Sequence, residues 1–124
     1  MRKLLNWIDQ RYEHPAIYVF ENGVSVPGES SLPIEQALND TFRVNYLDGY
    51  INSMLDAINI DKVNVKGYFA WSNLDNFEWS DGYTTRFGLI YVDYANNQTR
   101  YLKESAYWYS EFIHSQELAT QELF

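Results

Sequence analysis

The sequence predicts an α/β fold in which two buried strands run parallel and helices cover them. Residues 16–21 form a nearly continuous apolar run, which is typical of a strand buried on both faces, and residues 63–71 form another. Amphipathic helical patterns precede, separate and follow the two runs. Two strand-to-helix crossovers imply parallel strands with the helices outside. Because a (β/α)8 barrel takes eight strands and about 250 residues, the chain corresponds to the last quarter of such a barrel or to a piece of a smaller α/β sheet.

The composition fits one small domain and argues against several classes of partner. The chain has 124 residues, 46% of them hydrophobic, with four Trp and eleven Tyr, so a modest core and half-exposed aromatic surfaces are expected. A net charge of −8 lacks the basic footprint of a protein that binds nucleic acid or an anionic membrane. The sequence contains no run of about 18 apolar residues, so no membrane-spanning helix is predicted. It has no cysteine, and His14 and His114 stand far apart, so neither a disulfide nor a metal site is predicted.

The chain begins with a predicted helix and a predicted strand. Residues 2–13 carry apolar side chains at helical spacing. The proline that follows ends this helix, because the residue before a proline is disfavoured in the helical region. The first strand stops at an Asn-Gly turn signal. Glu21 therefore places a carboxylate at the carboxyl-terminal tip of a buried strand, which is where α/β folds bind ligands.

The middle of the chain is predicted as a loop followed by a long helix. Residues 24–33 hold glycine, proline and serine and are interpreted as a loop, and residues 34–38 as one short helical turn. Asp40 is expected to cap a helix over about residues 41–60, because a side-chain oxygen there satisfies free N–H groups. The apolar stripe of that helix, at three- and four-residue spacing, consists of Val44, Leu47, Ile51, Leu55 and Ile58.

The last part of the chain is predicted as turns, a hairpin and a final helix. The second strand leads into a turn-rich segment at residues 72–82. Residues 87–94 alternate like a strand, and a turn separates them from a short partner strand around Arg100. Residues 102–114 are predicted as the final helix, which completes one domain. We expect residues 115–124 to form a polar, frayed tail.

The stretch from residue 67 to residue 94 carries the strongest indication of function. It combines Trp71 and Trp79 with the acids Asp75 and Glu78 in a turn-rich segment. Aromatic faces pack against the C–H face of a pyranose, while carboxylates and indole N–H groups bind its hydroxyls. The combination favours a sugar-binding site. From the pattern alone, Trp71 can also be interpreted as a core tryptophan at a strand end, and Glu78 as a solvated loop acid.

Several other charged residues have structural interpretations. Asp75 and Asn76 are expected to close a turn on their own backbone. Arg86 and Asp93 are expected to form an ion pair or to anchor hydrogen bonds. Glu21, taken without its surroundings, is most simply a surface acid before an Asn-Gly turn.

Five blocks of sequence occur together in a fixed order. They are IYVFENG at 17–23, LNDTFRVNYLDGYI at 38–51, GYFAWSNLDNFEWSDGY at 67–83, RFGLIYVDY at 86–94, and Lys103 followed by SAYWY at 105–109. In order and spacing they resemble the C-terminal part of the family-1 glycoside hydrolases, the β-glucosidase family of TIM-barrel enzymes. Chance matches of this length and order are very rare. The resemblance implies the last helix of barrel unit 6, then units 7 and 8, over residues 1–114, with the barrel incomplete in this chain.

The resemblance implies retaining hydrolysis of a β-glycoside or oligosaccharide and assigns roles to five residues. Glu21 matches the nucleophile at the end of barrel strand 7, which forms a glycosyl-enzyme that water then hydrolyses. Glu78 and Trp79 match residues that bind hydroxyls of the sugar in the cleaved position. Trp71 matches the tryptophan that forms the floor of that subsite, and Phe87 matches an aromatic residue that lines it. The family also has a cis peptide bond between Trp71 and the serine that follows, and neither a metal nor a cofactor is implied.

The chain lacks the second carboxylate that retaining hydrolysis requires. The family's acid/base lies in a Thr-X-Asn-Glu-Pro motif, and no Asn-Glu-Pro occurs here. Met1 stands where the family usually has Leu inside a helix, which indicates a fragment or a truncated reading of the gene. The isolated chain is therefore expected to have no appreciable turnover and to need the rest of the barrel as its partner. The alternatives are a non-catalytic fragment that binds a sugar or another chain, and a poorly folded product with no role of its own.

Overall fold

The structure is a computed structural model and describes residues 1–121, with side chains through residue 116. In chain order its elements are α1 Arg2–Arg11, β1 Ile17–Asn22, α2 Ile34–Leu38, α3 Thr41–Asn59, β2 Val65–Ala70, β3 Ile90–Asp93, β4 Thr99–Leu102 and α4 Glu104–Gln121. Single turns of 3-10 helix lie at residues 29–31 and 79–81. Within residues 1–121, no helix has both the length and the apolar character needed to cross a membrane. The last three residues of the predicted polar tail lie outside the described part of the chain.

β1 and β2 form a two-stranded parallel sheet, and α3 belongs to the crossover between them. Ile17 lies opposite Val65, and Asn22 lies opposite Ala70. The carboxyl ends of both strands therefore share one edge, which confirms the parallel arrangement predicted from the two apolar runs. The prediction that β1 is buried on both faces is wrong for this chain, because Tyr18 and Phe20 are 52% and 69% exposed. Within the described residues, helices cover only the other face.

Two apolar clusters on α3 hold the helices and the sheet together. The first joins α1 to α3 and contains Leu5, Met54, Ala57 and Val63. Ile17 and Val19 of β1 pack against it, so this cluster also covers one face of the sheet. The second joins α3 to α4 and contains Leu47, Ile51 and Leu89, with Trp108, Tyr109 and Phe112 packed against it. Burial of each large apolar side chain stabilises the fold by about 1.5–3 kcal/mol, so α3 is the element on which the others depend.

The buried face of α3 is shifted by about one residue around the helix from the predicted apolar stripe. The buried residues are Arg43, Leu47, Ile51, Met54 and Ala57. Leu47 and Ile51 belong to the predicted stripe, whose other three members are only partly buried. The observed buried face therefore includes a charged residue, Arg43.

β3 and β4 form an antiparallel hairpin in which Ile90 lies opposite Leu102. The Asp93 carboxylate closes the connecting turn, because its Oδ1 accepts hydrogen bonds from the backbone N–H groups of Ala95 and Asn96, both at 3.2 Å. The predicted strand, turn and partner strand around Arg100 are confirmed, and Asp93 anchors hydrogen bonds as expected.

Two other features differ from the predictions. Helix α4 continues to Gln121, past the predicted end at residue 114, so residues 115–121 of the predicted tail are helical. Asp40 makes no capping hydrogen bond to α3. Its carboxylate instead pairs with Arg43 and accepts a hydrogen bond from the Ser105 hydroxyl at 2.6 Å. A buried guanidinium and the first turn of α4 occupy the oxygens that the cap would need.

Candidate functional site

Glu21 and Trp71 lie at the edge where both strands of the parallel sheet end. Glu21 is the next-to-last residue of β1, and Trp71 directly follows β2. The backbone N–H of Trp71 donates to the carbonyl of Asn22 at 2.9 Å, so the two strand ends are joined at this point. Glu21 is exposed, and its carboxylate makes no hydrogen bond or ion pair with any residue that the structure describes. The edge thus presents a free carboxylate beside a tryptophan.

Asn22 and Gly23 fix the backbone directly after Glu21. The Asn22 amide donates to the Tyr46 hydroxyl at 3.2 Å and accepts from the Tyr68 hydroxyl at 2.8 Å. Burial raises the pKa of Tyr68 above its usual range, so this hydroxyl remains a proton donor at neutral pH. A Cβ atom on residue 23 would lie 1.7 Å from a backbone carbonyl oxygen of the neighbouring strand end, so only glycine fits. The predicted end of the strand at Asn-Gly is confirmed, but these two residues form no turn, and the sequence did not predict their contacts.

The indole of Trp71 contacts one of the two acids in the predicted sugar site. Its Nε1–H donates to Oε1 of Glu78 at 3.1 Å, and both residues are partly buried. The backbone N–H of Glu78 donates to the Gly82 carbonyl at 2.7 Å, which closes the loop around a single 3-10 turn. Trp79 begins that turn with φ of 45° and is 84% exposed. Its side chain makes no hydrogen bond or ring contact with the part of the chain that the structure describes.

Phe87 is held beside the residue that follows Trp71. The Ser72 backbone N–H donates to the Phe87 carbonyl at 3.1 Å, and the Leu89 N–H donates to the Ser72 carbonyl at 2.8 Å. The peptide bond between Trp71 and Ser72 is cis, which confirms the expectation from the family resemblance. Trp71 and Phe87 are therefore carried on adjacent, hydrogen-bonded backbone segments.

The structure thus brings together only some of the five predicted site residues. Trp71 and Glu78 are in direct contact, and Phe87 is joined to them through the backbone. Glu21 lies at the same edge of the sheet, but its carboxylate makes no hydrogen bond or ion pair within the described residues. Trp79 extends into solvent. Within residues 1–121, no group of three or more His, Cys, Asp or Glu side chains is placed to hold a metal ion.

A buried network of charged side chains supports the loop that carries these residues, and the sequence did not predict it. The acids of this network are Glu29, Asp40 and Asp75, and its bases are Arg43, Arg86 and Lys103. All six are between 0% and 7% exposed. Because a buried charge is costly unless it is paired, the equal numbers of acids and bases make this interior possible.

The network joins four parts of the chain that are distant in sequence. Lys103, before α4, donates to Glu29 at 2.5 Å and to Asp75 at 3.1 Å. Arg43 in α3 pairs with Glu29 at 2.7 Å and donates to the Arg86 carbonyl at 3.0 Å. Arg86 does form an ion pair, but its partner is Asp75 and not Asp93. These contacts attach the loop between Trp71 and Phe87 to the helices.

Asp75 has a different role from the one predicted. Its carboxylate does not close a local turn but accepts hydrogen bonds from the backbone N–H groups of Gly88 at 3.0 Å and Val92 at 3.2 Å, in addition to its two bases. Two carboxylate oxygens have about four acceptor sites, and all are used. Asn76 does bind local backbone as predicted, since its amide donates to the Leu74 carbonyl at 3.1 Å.

Comparison with known proteins shows that the chain is similar to part of β-glucosidases. The chain matches the family model described as Glycosyl hydrolase family 1 over residues 1–118. It is 53% identical over 113 residues to Beta-glucosidase 4 of Oryza sativa subsp. japonica, a match that covers 91% of this chain and 23% of that protein.

Two solved structures resemble the chain closely. A GH1 β-glucosidase from the fungus Humicola insolens, in complex with glucose, is 54% identical with a TM-score of 0.90, over 92% of this chain and 24% of that one. A mutant rice β-glucosidase in a covalent complex with Glc is 43% identical with a TM-score of 0.83, over 86% of this chain and 22% of that one. The chain spans about a quarter of the length of these relatives and corresponds to part of their TIM barrel. The family match and the identities together establish that the chain belongs to glycosyl hydrolase family 1.

Proposed function

We propose that this chain supplies the nucleophile and part of the sugar subsite of a retaining β-glucosidase, as the last helix of unit 6 and units 7 and 8 of a complete barrel. The observation that carries the proposal is the free, exposed carboxylate of Glu21 at the sheet edge that also holds the Trp71–Glu78 contact. The glucose complex of the Humicola insolens enzyme and the covalent complex of the rice enzyme support a glucosyl substrate and a covalent step.

In the proposed reaction, a Glu21 carboxylate oxygen attacks the anomeric carbon of a β-glucoside and the bond to the aglycone oxygen breaks. The aglycone leaves with a proton from an acid in the rest of the barrel. Water then attacks the anomeric carbon of the glycosyl-enzyme and gives a proton to the conjugate base of that acid. The bond from the anomeric carbon to Glu21 breaks, and the sugar leaves with its configuration retained. Glu78 accepts hydrogen bonds from sugar hydroxyls, and the Trp71 N–H holds the Glu78 carboxylate in place. Trp79 donates from its indole, and Phe87 lines the subsite.

The chain alone is proposed to be inactive. Retention requires an acid/base carboxyl about 5–5.5 Å from the nucleophile. Glu78 does not fill that role, because it is hydrogen-bonded to the Trp71 indole and lies in the loop proposed to bind the sugar hydroxyls. We expect the purified chain to release no nitrophenolate from 4-nitrophenyl β-D-glucoside above the Glu21→Gln background. Saturable release that depends on Glu21 would contradict this part of the proposal.

A chimaera tests the nucleophile assignment directly. This chain would replace the segment of the Humicola insolens β-glucosidase that it matches, since 54% identity and a TM-score of 0.90 make the two segments structurally equivalent. We expect Glu21→Gln to lower kcat by at least about a thousandfold, because the covalent step is lost. Glu13→Gln removes an exposed acid before the same strand and is the matched control. Equal activity of the two variants would overturn the assignment.

A slow substrate identifies the attacked residue independently of rate. A 2-deoxy-2-fluoro-β-glucoside with a dinitrophenolate leaving group needs no acid catalyst and accumulates as the glycosyl-enzyme. We expect peptide mass spectrometry of the chimaera to find the fluoroglucosyl group on Glu21. A label on any other residue would assign the nucleophile elsewhere.

One observation favours the alternative of a sugar-binding fragment without catalysis. The Trp71–Glu78 contact and the exposed indole of Trp79 exist in this chain without the rest of the barrel. On this alternative, glucose would quench tryptophan fluorescence saturably, and Trp79→Ala would abolish the quenching. Trp7→Ala, which removes an exposed tryptophan from α1, is the control. Absence of saturable quenching would exclude binding by the chain alone.

A further inference from the structure

A cavity lies between the loop that follows Trp71 and the β3–β4 hairpin. Its volume is about 490 Å³, and residues 74–77, Tyr83, Val92, Tyr94, Gln98 and Arg100 line it. None of the five residues proposed to act on the sugar lines this pocket. Its volume falls within the range of about 300–1,000 Å³ that small-molecule sites occupy.

Aromatic rings form one wall of this pocket. Phe77 and Tyr83 are 58% and 55% exposed and meet edge to face, with their centroids 5.5 Å apart. Tyr83 also contacts Tyr94, with centroids 4.7 Å apart. These mutual contacts hold the rings in place. Their free faces and edges can therefore pack against a further aromatic ring at the usual centroid separation of about 4.5–7 Å.

The charge of the pocket is positive, although the whole chain carries −8. Arg100 is exposed, and its guanidinium forms no ion pair within the described residues. Asp75 also lines the pocket, but its side chain is fully buried and paired with Arg86 and Lys103. The Tyr94 hydroxyl in the wall is buried without a hydrogen-bond partner, and burial raises its pKa, so it stays a donor. Among its lining residues, the wall therefore offers an unpaired cation and no unpaired carboxylate.

We propose that this pocket binds a small aromatic carboxylate, independently of the sugar site. The ligand ring packs against Tyr83 and Phe77, and its carboxylate forms a charge-assisted, bidentate pair with Arg100. A neutral sugar fits less well, because it would leave the Arg100 guanidinium without a charged partner.

Chemical-shift mapping tests the proposal with three probes on the ¹⁵N-labelled chain, with Phe20→Lys and Phe69→Lys on the exposed sheet face to keep it monomeric. Cinnamate carries both ring and carboxylate, cinnamamide keeps the shape without the charge, and acetate keeps the charge without the ring. We expect cinnamate to shift the amides of residues 74–77, Tyr83 and the hairpin saturably. Cinnamamide and acetate should each bind at least about tenfold more weakly, since each lacks one of the two interactions.

Variants separate specific binding from general attraction of anions. Arg100→Gln is expected to weaken cinnamate binding at least about tenfold, and Arg100→Lys to restore only part of it, because lysine lacks the bidentate fork. Arg11→Gln removes the same charge from α1, outside the pocket, and should leave the affinity unchanged. The proposal is overturned if cinnamate causes no local shifts, if cinnamamide or acetate binds equally well, if Arg11→Gln has the same effect as Arg100→Gln, or if methyl β-D-glucoside binds these residues more tightly than cinnamate.

Discussion

Gly23 determines how closely the two strand ends approach each other. The absence of a side chain allows the Trp71 carbonyl to occupy the space where a Cβ atom would be, 1.7 Å from that oxygen. The contact is with backbone, which has no alternative rotamer, so a larger residue would have to separate the strand ends. The second residue after the proposed nucleophile thus fixes how closely the backbone of Trp71 approaches.

Gly23→Ala is therefore expected to destabilise the chain by about 1–3 kcal/mol, as overpacking does, and to perturb the fluorescence of Trp71. Gly49→Ala is the matched control, since Gly49 lies inside α3 and a Cβ atom added there would meet no atom within 4 Å outside its own helix backbone. That change should stabilise the chain by about 0.5–1 kcal/mol, because alanine favours helix. Urea unfolding measures both changes, and a neutral Gly23→Ala would contradict the close approach.

Asp61 illustrates how a local pair controls a single ionisation. Hydrogen bonds from Arg2 and then Asn6 lower the pKa of Asp61 from 3.8 to about 2. Because the folded-state pKa is depressed, the pair stabilises the fold above about pH 4 and loses this effect as the pH falls through about 2. The link joins α1 to the turn just after α3, with Arg2 Nε 2.6 Å from Asp61 Oδ2.

The corresponding prediction is that the Asp61 carboxyl ¹³C signal at about pH 3 is still that of the ionised form. In Arg2→Met the pKa should rise towards 3.8, so that most of the Asp61 population is protonated at the same pH. Lys3→Met removes a neighbouring charge and should not change the titration. A wild-type midpoint close to 3.8 would show that the pair does not act on Asp61.

At the scale of elements, apolar patterns predicted the strands and helices, whereas buried polar contacts were not predictable. β1, β2 and α3 follow from runs and stripes of apolar residues, whose length and spacing indicate the type of element. Asp40 has the residue type and position of a helix cap, yet tertiary partners take its oxygens. One signal for the network was present, since Arg43 lies one helical turn before Leu47 and hence on the same buried face. Its acidic partner Glu29 lies in a different segment, so sequence spacing does not connect them.

Lys103 provides the test of the network at this scale. Lys103→Met removes one of three bases and leaves an uncompensated buried negative charge between Glu29 and Asp75. We expect the free energy of unfolding to fall by about 3–5 kcal/mol. Lys66→Met, at an exposed position in β2, should change it by no more than about 0.5 kcal/mol. Chemical denaturation compares the two variants, and similar effects would mean that the network contributes little to the fold.

For the whole molecule, the parallel order of the strands was predictable but the exposure of one sheet face was not. Apolar residues of β1 are equally consistent with burial by this chain or by neighbouring strands and helices of a barrel. In the structure Tyr18, Phe20 and Phe69 stack on one another on the exposed face, with centroid separations of 5.8 and 5.7 Å. Since the chain spans about a quarter of its relatives, the proposed function assigns the cover of this face to the rest of the barrel.

The isolated chain should therefore associate through this aromatic face. β1 and β2 pair only with each other within residues 1–121, so each also has an open edge, and exposed edges and apolar patches promote association. We expect sedimentation velocity at micromolar concentration to detect oligomers, and Phe20→Lys with Phe69→Lys to shift the chain to monomer with unchanged helix content. Tyr107→Lys changes an equally exposed aromatic residue on α4 and is the control. A wild-type chain that stays monomeric, or a control that dissociates the oligomer equally, would show that this face does not drive association.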